Sequence, residues 1–109
     1  FYVDKIIDYI SIKEYNHKFY IDDIAKSIDV PQYDETDFVC AVFYLTRPNV
    51  RIFKQCFEVF ENKSHTEIDN IDLVVDCLRD SVYYHPFTRE EMSPDDFANT
   101  VLTYFVRLI

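Results

Sequence analysis

The chain has 109 residues, 49% hydrophobic and 28% charged, the usual size and make-up of one domain that buries a single core without metals or disulfides. Twenty carboxylates against 11 Lys and Arg give a formal charge of −9, a field that repels phosphate backbones and anionic lipid and points to protein partners with basic faces. Glycine is absent, which excludes Gly-rich phosphate loops and leaves turns to Asn, Asp and Pro.

Val3, Ile6, Ile7 and Ile10 recur at helical spacing among Asp4, Lys5 and Asp8, and predict an amphipathic first helix from about Asp4 to Tyr15. Asn16-His17 breaks it, and Lys18-Phe19-Tyr20 reads as a short extended stretch. A second helix opens at Asp22 or the residue before it, carries Ile24, Ala25 and Ile28 inward, and is closed by Pro31. Asp34, Glu35 and Asp37 suit the N-terminal end of a third helix. Every residue from Phe38 to Leu45 is apolar or aromatic, so this helix is expected to be buried nearly all round, until Pro48 ends it.

Val50 to Glu61 carries two patterns at once. The alternation Arg51, Phe53, Gln55, Phe57, Val59, followed by Asn62-Lys63-Ser64, predicts a strand and a hairpin that returns through His65 to Ile68. Ile52, Phe53, Cys56, Phe57 and Phe60 also fit a helical stripe. Asp69 is a candidate N-cap for a fourth helix with Ile71, Val74, Val75, Leu78 and Val82 on its apolar face and acids opposite. Tyr83 to Phe87 forms an aromatic connector, and Thr88-Arg89-Glu90-Glu91 has the spacing of a capping box that opens one short turn. Ser93-Pro94-Asp95-Asp96 is a strong start signal for a final helix, expected to carry Phe97, Val101, Tyr104, Phe105 and Leu108 on one stripe. The expected fold class is mostly α with a small β-hairpin, a single domain over residues 1–109 with two helices in a C-terminal extension over 69–109. The first residue is Phe rather than Met and the last apolar segment runs to Ile109, so the chain reads as a piece of a longer protein.

Helix, short strand, short helix, turn, apolar helix and hairpin is the order of a winged helix-turn-helix. Phe19-Tyr20-Ile21-Asp22-Asp23-Ile24-Ala25-Lys26-Ser27-Ile28 resembles its first motif helix, and the resemblance covers about residues 3–68. It implies a second motif helix from Asp34, the element that enters the DNA major groove in that family. Here the chain departs from the DNA-binding pattern: no basic residue lies between Lys26 and Arg47, while Asp29, Asp34, Glu35 and Asp37 put negative charge where phosphates would lie. Many winged-helix folds serve as protein–protein modules, and the departure implies that role by analogy of fold.

Cys40, Cys56 and Cys77, with His17, His65 and His85, contain no C-x-x-C or H-x-x-x-H pair. They read as reduced core thiols and surface histidines in a cytoplasmic protein, with no metal, cofactor or catalytic residue expected. No apolar run approaches the length that spans a bilayer, so no membrane partner is expected. Asp69, Asp72, Asp76 and Asp80 return to one helix face by steps of three and four. They are a candidate docking stripe for a basic partner, against the plainer alternative of a solvated face. Tyr83, Tyr84 and Phe87 are candidate interface anchors, with packing of the last helix as the alternative. Arg47, Arg51, Lys54 and Lys63 gather in the expected wing and are the candidate nucleic-acid contact. The function expected is a non-catalytic protein–protein interaction or assembly module on a degenerate winged-helix fold, holding a protein partner or another domain of its parent. The alternative is a nucleic-acid-facing winged helix or an acidic mimic of DNA.

Overall fold

Tyr2, Ile6 and Ile10 recur every four residues along α1 (Tyr2–Ser11) and turn inward together, in a computed structural model that describes residues 1–109. The helix ends earlier than its pattern indicates, since Ile12 and Tyr15 are exposed and the Tyr15 hydroxyl donates to the Leu108 carbonyl. Phe19 makes a single antiparallel bridge with Phe105, and α2 (Ile21–Ser27) buries Ile24. A 3-10 turn (Gln32–Asp34) leads into α3 (Glu35–Tyr44). The expectation that α3 is buried nearly all round is not met. Phe38 and Val42 turn inward, with Leu45 just beyond the helix, while Cys40, Phe43 and Tyr44 are exposed. Packing against α1 and α2 covers one side of the helix and leaves the other open.

The ambiguous segment is a strand, β1 (Phe53–Glu61). Asn62 and Lys63, at φ 51° and 63°, make the kind of tight turn that matches strand twist, and β2 (Ser64–Glu67) returns antiparallel with Glu61 opposite Ser64. After α4 (Asp72–Asp80), a second hairpin pairs β3 (Tyr83–Tyr84) with β4 (Glu91–Met92). Thr88–Glu91 therefore opens no helix: Thr88 Oγ1 accepts from the Glu90 amide within the hairpin loop, and Glu91 is already in β4.

The end of the chain departs furthest from expectation. Ser93 caps α5 (Pro94–Thr100), its Oγ accepting from the Asp96 amide at 3.1 Å, but Val101–Arg107 continues as β5 instead of helix. Val101, Thr103, Tyr104, Phe105 and Val106 are β-branched or aromatic, and a free edge of β1 offers them a ladder that a local helical stripe cannot match. The larger sheet has the order β2-β1-β5. The fold is thus mixed α/β, with five α-helices and two small antiparallel sheets, not mostly α.

The chain divides into two compact units, Phe1–Gln55 with Tyr104–Ile109, and Cys56–Thr103. The first is centred on Ile6, Ile10, Ile24, Phe38 and Val42 with Phe19, Phe53 and Phe105, whose rings approach to 5.8 Å (Phe19 to Phe53) and 5.5 Å (Phe53 to Phe105). The second is centred on Phe57, Val59, Ile68, Val74, Cys77, Phe97 and Val101. Each fully buried aliphatic or aromatic side chain contributes about 1.5–3 kcal/mol. All three cysteines are free; Cys56 and Cys77 are buried, while exposed Cys40 is not the core thiol its apolar neighbours indicate. Without glycine, left-handed backbone falls to Asp29, Arg51, Asn62, Lys63, Ser81 and Arg89. No helix is long and apolar enough to cross a membrane.

Candidate functional site

The second unit carries the candidate acids and the aromatic connector. Helix α4 begins beyond Asp69, which lies outside it, and the Asn70 side chain accepts from the Asp72 amide at 3.2 Å. Of the expected apolar face only Val74 is buried, together with Cys77. Ile71, Val75, Leu78 and Val82 stay at the surface, 41, 45, 53 and 43% exposed. The helix meets the core along the line that Val74 and Cys77 define, and the residues a quarter turn away cannot reach it.

Asp69, Asp72, Asp76 and Asp80 are all exposed, yet they are not one open acidic stripe. The Arg79 guanidinium pairs with Asp76 at 2.9 Å and donates to Asp80 at 3.1 Å. That hydrogen bond, and then the charge behind it, hold the Asp80 carboxyl below the usual carboxylate range and raise Arg79 in return. Asp69 and Asp72 have no such pair.

The connector is built around His85, which is buried and not a surface residue. The Phe87 and Thr88 amides both donate to His85 Nδ1, at 3.1 and 3.2 Å, so Nδ1 is the acceptor and the ring proton resides on Nε2. Nε2 donates to Glu61 at 2.8 Å. The backbone closes the same loop, the His85 amide donating to the Glu90 carbonyl and the Arg89 amide to the His85 carbonyl. With both ring nitrogens engaged, His85 serves as a pillar of the loop. A second histidine–carboxylate pair joins His65 Nδ1 to fully buried Glu58 at 2.8 Å.

Two cavities flank α4. One, about 520 Å³, lies between Leu73, Asp76, Cys77 and Asp80 of the helix and Val82, Tyr84, His85, Pro86 and Arg89 of the connector. The other, about 370 Å³, is lined by Val74 and Leu78 of α4, Pro94, Phe97 and Ala98 of α5, and Leu102 of β5, among others. The first brings Asp76, Asp80 and Tyr84 together. Tyr83 lines the second, half-buried with its ring 5.0 Å from that of Phe97, and exposed Phe87 lines neither. Leu78, Ala98 and Leu102 are surface-lining residues that the sequence pattern assigned to a core face or left unmarked.

Of the basic candidates, exposed Arg47 lies over the Tyr44 ring at 5.3 Å, and Arg51 and Lys54 precede or open β1 in the first unit. Lys63 sits at the β1–β2 turn in the second unit. No three His, Cys, Asp or Glu side chains converge as a metal cage requires. Compared with protein-family models, curated proteins and solved structures, the chain matches none.

Proposed function

We propose that the chain is a non-catalytic protein–protein interaction module whose contact surface is centred on α4. The observation that carries this reading is the set Ile71, Val75, Leu78 and Val82, at the start of, along and just beyond α4, all left at the surface. Isolated exposed apolar residues are ordinary, but four within one short segment that also borders two concavities are the composition of an interface centre. Asp69 and Asp72 at the rim favour a basic partner and faster encounter. The order of α1, the Phe19 bridge, α2, α3 and the β1–β2 hairpin supports a degenerate winged-helix-like arrangement. Asp34, Glu35 and Asp37 at the start of α3 speak against a groove-reading helix. Free thiols support a reducing, cytoplasmic setting.

Site-specific photo-crosslinking in the native host tests the reading. A photoreactive residue at position 75 or 78 should give a discrete protein adduct that the same group at exposed Ser27 does not give. Adducts only at Ser27, or none at either position of α4, would count against the proposal. An adduct with nucleic acid through Arg51, Lys54 or Lys63 would favour the nucleic-acid-facing alternative.

A further inference from the structure

The connector between β3 and β4 hangs on one imidazole. Buried His85 accepts from the Phe87 and Thr88 amides at Nδ1, and the hairpin it supports is short, with β3 and β4 pairing over two residues each. Besides these bonds the loop has the His85 amide on the Glu90 carbonyl, the Arg89 amide on the His85 carbonyl and the Glu90 amide on Thr88 Oγ1. An imidazole that accepts two amide protons at Nδ1 is neutral. A second ring proton would occupy Nδ1 and point at both donors, so the protonated ring and the closed loop exclude each other.

We infer that the connector is a pH-sensitive clasp, closed while His85 is neutral and released when acid protonates Nδ1. Glu61 of β1 is the group that pulls the other way, since an imidazolium would pair with it through Nε2 at 2.8 Å. Its side chain is 48% exposed, where water screens an ion pair, whereas the amides left without an acceptor are part-buried, so the loss outweighs the gain. From α4, Asp76, Cys77 and Asp80 line the cavity that His85 borders, and from the hairpin itself Tyr84 and Arg89 do so. Arg79 already pairs with both acids, Arg89 carries the same sign of charge as an added proton, and none of these side chains bonds to the imidazole. His65 supplies the contrast. Its Nδ1 faces the Glu58 carboxyl at 2.8 Å and its side chain is 43% exposed, so an added proton meets a carboxyl or water and breaks no backbone bond.

Release bears on the larger cavity, because Tyr84, His85 and buried Pro86 form its wall on the side away from α4. The open loop takes up a proton that the closed loop excludes, so closure is favoured at neutral and alkaline pH and is lost as pH falls. The inference concerns the loop alone and holds whether or not α4 binds a partner.

Amide exchange and ring-nitrogen shifts of the whole isotope-labelled chain, measured from about pH 8 to about pH 5.5, test the clasp. Corrected for intrinsic exchange rates, protection of the Phe87 and Thr88 amides should fall about tenfold or more over that range, while amides inside α3 and α4 keep theirs. The His85 ring should take up its Nδ1 proton in step. His85→Asn supplies a carboxamide oxygen that takes the same two amides in an Asx turn and does not titrate, so its protection should not change with pH. Folded His65→Asn should keep the response. Constant protection in the parent, a loss shared by every helix, or a response that survives His85→Asn or vanishes in His65→Asn would each overturn the inference. Should His85→Asn fail to fold, the parent decides: loss of protection with Nδ1 still unprotonated would reject the clasp.

Discussion

Two side chains illustrate how single residues set local structure here. The Tyr2 hydroxyl donates to Asp34 at 2.5 Å, and that bond, with burial, pushes the phenol from 10.0 up to about 12. The native state therefore keeps a proton that the unfolded chain releases, so the contribution is intact below pH 10 and is lost as pH rises through about 12. An alkaline titration followed by phenolate absorbance should show a late step that Tyr2→Phe removes, along with part of the stability loss in that window. A late step that persists in the variant would assign it to another tyrosine. His85→Ala should cost about 1–3 kcal/mol in urea unfolding, because it strands two part-buried loop amides and removes the Glu61 hydrogen bond. Amide exchange at Phe87 and Thr88 should accelerate while the helices keep their circular dichroism. Exchange at those amides no faster than in the parent would deny His85 its role as pillar.

Among the elements, α4 shows how far a periodic pattern can be trusted. Val74 and Val75 are neighbours of identical chemistry, one buried and one displayed. Val74→Ala should lower stability by about 1–3 kcal/mol and Val75→Ala by no more than about 0.5 kcal/mol, a contrast that thermal or urea unfolding measures directly. Equal losses would mean that the set on α4 is packed. Ser93, Pro94 and Asp96 mark the start of α5 in the sequence because capping is local chemistry, read within four residues. The Phe53–Val59 alternation fits β1, but the same segment carries a helical stripe, and pairing with β2 decides between them. What lay beyond the sequence was tertiary. Val101 to Arg107 is a strand because β1 is there to pair with, and no residue within that segment announces a partner so distant in the chain. The same holds for the site. Asp76, Asp80 and Tyr84 were legible as polar and aromatic candidates, but that they share one cavity follows from the hairpin that turns the connector back.

At the scale of the whole molecule, β1 and β5 each pass from one compact unit into the other. Unravelling β1 removes Phe53 from the first core and Phe57 and Val59 from the second; unravelling β5 removes Phe105 and Val101 likewise. Urea unfolding followed by circular dichroism and by tyrosine fluorescence should therefore give coincident single transitions, unaffected by reductant since the cysteines are free. Two separated transitions would show that the units unfold independently.

The six left-handed positions leave this protein with unused thermal headroom. Lys63 follows Asn62 where a hairpin turn ordinarily takes glycine, and Ser81 terminates α4 in the conformation that helix ends ordinarily give to glycine. A side chain held there costs about 1–2 kcal/mol, against which glycine's extra freedom in the unfolded chain restores only part. Lys63→Gly and Ser81→Gly should each raise the melting temperature, and their effects should add, because the two turns share no partner. Melting followed by differential scanning calorimetry decides it, and a lower midpoint for either variant would show that the Lys63 or Ser81 side chain stabilises its turn by more than the backbone strains it. A chain without a single glycine thus stands further from its attainable heat resistance than the packing of its cores implies.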